Sequence, residues 1–99
     1  MMDPVACRRL ICVRPSGESL TLTITVCKPY SDSGGTRCSV SIDPLHKRLC
    51  DIEGVDSWQA LQLAMNLVER LLKFEVESGS RLYWPKADDD VVESEYEFK

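Results

Sequence analysis

The five cysteines and the single histidine are the residues of this 99-residue chain that could most readily bind a metal. A structural zinc site takes four ligands, usually as two closely spaced pairs. The cysteines have no Cys-x2-Cys spacing, and a site would require Cys38, His46 and Cys50 to meet in the fold. We therefore interpret the thiols as small buried apolar groups and expect neither a metal nor a cofactor.

A catalytic nucleophile would need an adjacent base, and His46 lies in a polar turn where a histidine is usually solvent-exposed. Residues 33–36 (Ser-Gly-Gly-Thr) lack the lysine and the following helix of a phosphate-binding loop. Of the nearby carboxylates Asp51, Glu53 and Asp56, the last is better explained as a helix cap. The sequence predicts no catalytic residue and hence a non-enzymatic protein.

A basic patch is a second candidate site, formed if the following residues meet in the fold: Arg8, Arg9, Arg14, His46, Lys47 and Arg48. Exposed aromatic residues, the usual companions of single-strand binding, are missing nearby. The net charge of −4 arises in residues 86–99, whose six acidic residues outnumber two lysines, while residues 1–85 are neutral. We expect no nucleic-acid partner, and a hypothesis is that the acidic segment folds back on the basic patch.

Strand patterns dominate the first half of the chain. Residues 6–14 are β-prone, and residues 19–27 alternate strictly between apolar residues and threonines, with Cys27 closing the threonine side. Residues 28–36 are predicted to form a mobile loop, residues 37–43 a third strand antiparallel to the second, and residues 48–53 a fourth. The segment 81–85 could form a last strand or a strap over the helix.

One long helix is predicted between Asp56 as N-cap, with Gln59 three positions on, and Gly79 as the C-terminal stop. Its apolar residues fill roughly 220° of the helical circumference, whereas packing on one sheet needs a stripe of only about 100°. Leu63, Leu67 and Phe74 form the surplus flank. It requires a cover, either the C-terminal segment of the chain or another subunit.

These elements predict the α+β class, with an antiparallel sheet of four or five short strands and one long helix packed across one face. We expect a single domain over residues 1–85 and an acidic, disordered tail over residues 86–99. No apolar run reaches the ~20 residues of a membrane span, so no membrane partner is expected. The odd number of cysteines and the absence of a signal-like N-terminus favour a cytoplasmic location.

The stretch Gly-Val-Asp-Ser-Trp-Gln-Ala-Leu at residues 54–61, after short strands and before Arg-Leu-Tyr-Trp-Pro at residues 81–85, supports a resemblance. It resembles an uncharacterised family of small bacterial proteins in which such a stretch opens the single long helix. The resemblance covers residues 6–85. It implies a bacterial source and brings no activity or site residues.

Two functions from different classes remain open at this point. The first is a protein–protein interaction module, homodimeric or binding another protein, whose candidate interface is formed by Leu63, Leu67, Phe74, Tyr83 and Trp84. The alternative is an enzyme or small-ligand-binding protein with a pocket between sheet and helix, lined by Cys27, Cys38 or His46.

Overall fold

A computed structural model describes residues 3–47, 49, 51–85 and 92–96 of the chain. The described residues form one helix, α1 (Ser57–Glu77), and eight strands. The strands are β1 (Pro4–Val13), β2 (Ser19–Cys27), β3 (Tyr30–Asp32), β4 (Gly35–Cys38), β5 (Val40–Asp43), β6 (Ile52–Gly54), β7 (Arg81–Pro85) and β8 (Val92–Glu95).

The main sheet has five strands in the order β5-β2-β1-β7-β8, and all of its pairings are antiparallel. The β1–β2 hairpin turns through Gly17, whose φ of 91° favours glycine and whose N–H donates to the Arg14 carbonyl at 2.8 Å. β5 pairs with β2, as predicted for the third strand, but this strand begins at Val40 and not at Arg37, because residues 35–38 form β4 in a second sheet. β7 pairs with β1, so the segment after the helix is a strand of the main sheet and not a strap over the helix.

The prediction that residues 28–36 form a loop is wrong for most of the stretch. Most of this stretch forms the β3–β4 hairpin, and β6 pairs with β4 to give a second, three-stranded sheet in the order β3-β4-β6. The Asp32 side chain accepts from the Gly34 N–H at 2.7 Å and fixes the turn. Arg37 joins the strands, since its guanidinium lies 3.3 Å from Asp32 and 3.8 Å from Glu53.

Both ends of α1 are fixed by the residues that the sequence indicates. The Asp56 side chain accepts from the Gln59 N–H at 2.9 Å, and the Gln59 side chain accepts from the Val55 N–H at 2.7 Å. At the other end Gly79 has a φ of 106°. The bonds Ser80 N–H to Glu75 C=O and Gly79 N–H to Val76 C=O, both 3.0 Å, form a Schellman motif.

The core lies between α1 and one face of the main sheet, so the predicted α+β class is confirmed. The helix contributes a buried stripe with one residue every four positions: Ala60, Ala64, Val68 and Leu72. The sheet contributes Leu10, Cys12, Leu22, Ile24, Val26, Val40, Ile42 and Leu82. Among the described residues, no helix is long and apolar enough to cross a bilayer.

The predicted tail is described only in part. Residues 86–91 and 97–99 lie outside the described residues. The intervening strand β8 pairs with β7, and the Tyr96 N–H donates to the Leu82 carbonyl at 2.9 Å. These contacts bring Tyr96 beside the main sheet.

Candidate functional site

Of the described cysteines, Cys12 and Cys38 are buried as predicted, whereas Cys7 is exposed, so the interpretation of all the thiols as buried groups is wrong there. Cys38 is fully buried, and its thiol donates to the Cys27 carbonyl at 3.2 Å. Burial raises the pKa of the Cys38 and Cys27 thiols, which disfavours the thiolate form that a metal would need. His46 forms backbone bonds with Ile42, and Cys50 lies outside the described residues. The described part of the chain contains no group of three or more metal-ligating side chains.

A tyrosine and a carboxylate meet beside these thiols. The Tyr30 hydroxyl donates to the Asp51 carboxylate, and this hydrogen bond raises the pKa of Tyr30. The bond ties β3 to the residues just before β6. It therefore connects the two outer strands of the second sheet, β3 and β6, through the residue that precedes β6.

The predicted basic patch is divided by the sheet. Arg8 and Arg9 are adjacent in β1, so their side chains lie on opposite faces. Arg14, after the end of β1, lies 4.0 Å from the Glu75 carboxylate of α1. Arg48 lies outside the described residues.

The five candidate interface residues fall into two groups. On α1, Leu63 and Phe74 are 40% and 62% exposed, and Leu67 is half-buried against the core. Tyr83 and Trp84 are half-buried in β7, where neighbours alternate between the faces of the sheet. Trp84 lies on the same side as the buried Leu82, and Tyr83 lies on the other.

A groove of about 280 Å³ lies between α1 and the core-facing side of β1 and β2. Its apolar walls include Ile24 and Val26 from β2 and Met65, Val68 and Leu72 from the helix. Polar side chains line the groove from two sides. Asn66 and Glu69 lie on the α1 side, and Arg8 and Tyr96 lie on the side of the sheet. The lining includes none of the three residues predicted for such a pocket: Cys27, Cys38 and His46.

Arg8 is held by two aromatic rings at the side of this groove. Its guanidinium carbon lies 5.1 Å from the centre of the Trp84 ring and 5.6 Å from that of Tyr96. The rings meet edge to face with their centres 5.1 Å apart, and Arg8 Nη1 donates to the Tyr96 hydroxyl at 3.0 Å. Cation–π contacts of this kind orient a guanidinium while leaving its other N–H donors available.

The cluster of Arg8, Trp84 and Tyr96 is not among the sites predicted from the sequence, although the sequence contains one signal of it. Arg8 occupies the same alternation as Leu10 and Cys12, which places a charged residue on the core-facing side of β1. A cation at such a position needs a polar or aromatic neighbour. Trp84 and Tyr96 come from distant parts of the sequence, so periodicity could not identify them.

Comparison with known proteins assigns the chain to a family. The family model described as a domain of unknown function, DUF6968, matches residues 6–92. The chain belongs to this family. The DUF6968 match includes the helix-opening stretch at residues 54–61, most of β1, all of β2 to β7, and the groove residues except Tyr96. It confirms the expectation of an uncharacterised family. No curated protein matches the chain, and neither does any solved structure.

Proposed function

We propose that this DUF6968 chain is a non-enzymatic protein–protein interaction module of a bacterial cytoplasmic protein, and that it self-associates through α1. The observation that carries the proposal is the apolar surface that packing leaves on the helix. Large side chains there are exposed: Trp58, Leu63, Met65, Phe74 and Val76. Clustered exposed apolar surface on a folded domain commonly marks an interface.

These side chains form two groups on either side of the buried stripe. At about 100° per residue, Leu63, Leu67 and Phe74 lie within an arc of about 40°, which we call the first flank. Trp58, Met65 and Val76 lie within about 20° of one another, almost opposite, and form the second flank. Met65 of the second flank lines the groove. The first flank is therefore the better candidate for contact with another protein.

The cytoplasmic and bacterial parts of the proposal depend on composition and resemblance. An odd number of cysteines suits a reducing compartment. Four cysteines lie among the described residues, and all four are free thiols: Cys7, Cys12, Cys27 and Cys38.

Light scattering on the full chain over a range of concentrations tests the self-association. We expect the mass to rise above 11.2 kDa with concentration, and to stay at that value for the double variant Leu63→Gln/Phe74→Gln. The matched control is Trp58→Gln/Val76→Gln, which removes similar apolar surface from the second flank and should still associate. A monomer at every concentration, or equal loss in both variants, contradicts the proposed interface.

A further inference from the structure

The groove between α1 and the sheet combines an apolar floor with opposite charges on its two sides. We propose that it binds a small zwitterion with an apolar side chain, of the class of apolar α-amino acids. In this site Arg8 binds the carboxylate and Glu69 binds the ammonium group.

The size and the lining of the groove define the apolar part of the ligand. Its volume of about 280 Å³ lies just below the ~300–1,000 Å³ typical of small-molecule pockets. Such a volume suits a metabolite of a few heavy atoms. Ile24, Val26, Val68 and Leu72 are core residues, so the floor that they form is rigid and favours an apolar side chain.

Arg8 supplies a positioned anion-binding group. A guanidinium has five N–H donors, and Tyr96 accepts from Nη1. The contacts with the Trp84 and Tyr96 rings restrict the side chain before any ligand arrives, which lowers the entropy cost of binding. The paired N–H geometry of a guanidinium matches the two oxygens of a carboxylate.

Glu69 supplies the complementary charge from the helix. Within the described residues, the structure gives neither Glu69 nor the neighbouring Asn66 a side-chain hydrogen bond or an ion pair. The described part of the chain also shows no ion pair between Glu69 and Arg8, although both line one groove. Two oppositely charged side chains that line one groove without forming an ion pair can bind the two charges of a zwitterionic ligand.

The charge balance distinguishes this ligand from a simple amphipathic acid. A ligand with only a carboxylate would place its charge near Glu69 as well as near Arg8, and the repulsion would offset part of the attraction. A zwitterion satisfies both side chains, and Asn66 adds a donor and an acceptor at the same wall.

Isothermal titration of the full chain with L-leucine tests the site, with three analogues that each lack one feature. N-acetyl-L-leucine lacks the ammonium, L-leucinamide lacks the carboxylate, and glycine lacks the apolar side chain. N-acetyl-L-leucine and L-leucinamide each lose a hydrogen bond between charged groups, and glycine loses the apolar contact with the floor, so each should bind at least roughly tenfold more weakly. No heat of binding up to ~10 mM L-leucine overturns the proposal, as does equal binding of all four compounds.

Variants assign the two charges. Glu69→Gln should weaken the binding of L-leucine at least roughly tenfold. It should weaken the binding of L-leucinamide to a similar degree, because this analogue retains the ammonium group. Arg8→Gln should weaken L-leucine and not L-leucinamide. The matched controls are Glu77→Gln on α1 and Arg9→Gln on the other face of β1, and both should bind normally. If Arg8→Gln melts below the assay temperature, Arg8→Met replaces it, because methionine keeps the apolar stem and removes the charge. Unchanged binding in the Arg8 and Glu69 variants overturns the assignment.

Discussion

Gly54 of β6 lies directly against Ala60 in the first turns of α1. A Cβ atom added to Gly54 would lie 2.8 Å from the Ala60 Cα and 3.0 Å from the Gln59 carbonyl carbon, with the Ala60 amide nitrogen also in contact. These atoms are backbone atoms and cannot rotate away. The glycine that opens the 54–61 stretch thus allows the second sheet to meet the helix.

Replacing Gly54 by alanine should therefore lower the free energy of unfolding. The added methyl group must displace the strand from the helix, and overpacking of this kind costs about 1–3 kcal/mol. Urea unfolding followed by circular dichroism measures the loss. Gly34→Ala is the matched control, because its Cβ would meet only the end of the flexible Arg37 side chain at 2.9 Å and the Asp32 carboxylate at 3.3 Å. Equal losses in the two variants would contradict the role assigned to Gly54.

Removing the N-cap of α1 should also destabilise the fold. Asp56→Ala deletes the acceptor of the Gln59 N–H, and the loss of such a cap costs about 1 kcal/mol. Asp56→Asn keeps an acceptor oxygen and should retain most of the stability. The same urea titration compares them. If the alanine and asparagine variants unfold alike, the hydrogen bond is not the source of the stability.

The parts of this fold that could be predicted have local signals. Alternation indicates β2, and the cap residues Asp56 and Gly79 mark the two ends of α1. The second sheet could not be predicted in this way because β4 pairs with β6, some fifteen residues farther along the chain. Each of its strands has only three or four residues, too few for a clear period.

The candidate site was also predictable only in part, because some of its residues lie far apart in the sequence. The surplus apolar surface of α1 follows from its sequence, and Leu63 and Phe74 are indeed exposed. How much of this apolar surface stays exposed depends on how the helix is rotated about its axis against the sheet, which the sequence does not specify. The groove depends on Arg8 and Tyr96 meeting from opposite ends of the chain.

The orientation of α1 predicts that truncating Leu72 and truncating Trp58 have very different effects on the free energy of unfolding. Leu72 is 2% exposed, and truncation to alanine should cost about 2–5 kcal/mol by creating a cavity in the core. Trp58 is 78% exposed, so Trp58→Ala should change stability by no more than about 0.5 kcal/mol although it removes a larger side chain. Thermal and urea unfolding of both variants check this. A large loss at Trp58 would mean that this residue is covered in solution.

Alkaline pH should weaken the fold through its buried thiols. Burial raises the pKa of Cys12 and of Cys38 above the ordinary value of 9.0, so the folded chain retains protons that the unfolded chain releases. Below pH 9 both states are protonated and the contribution to stability is complete; it is lost as the pH rises toward the folded-state pKa values. The raised pKa of Tyr30 acts in the same direction at higher pH.

Urea unfolding under reducing conditions, at a series of pH values on both sides of pH 9, measures this dependence. The double variant Cys12→Ala/Cys38→Ala should be less stable at neutral pH because of the lost packing, yet its stability should fall less steeply above pH 9. Cys7→Ala, at an exposed position, controls for the removal of a thiol. If the double variant and the parent chain lose stability in parallel, the buried thiols do not cause the alkaline decline.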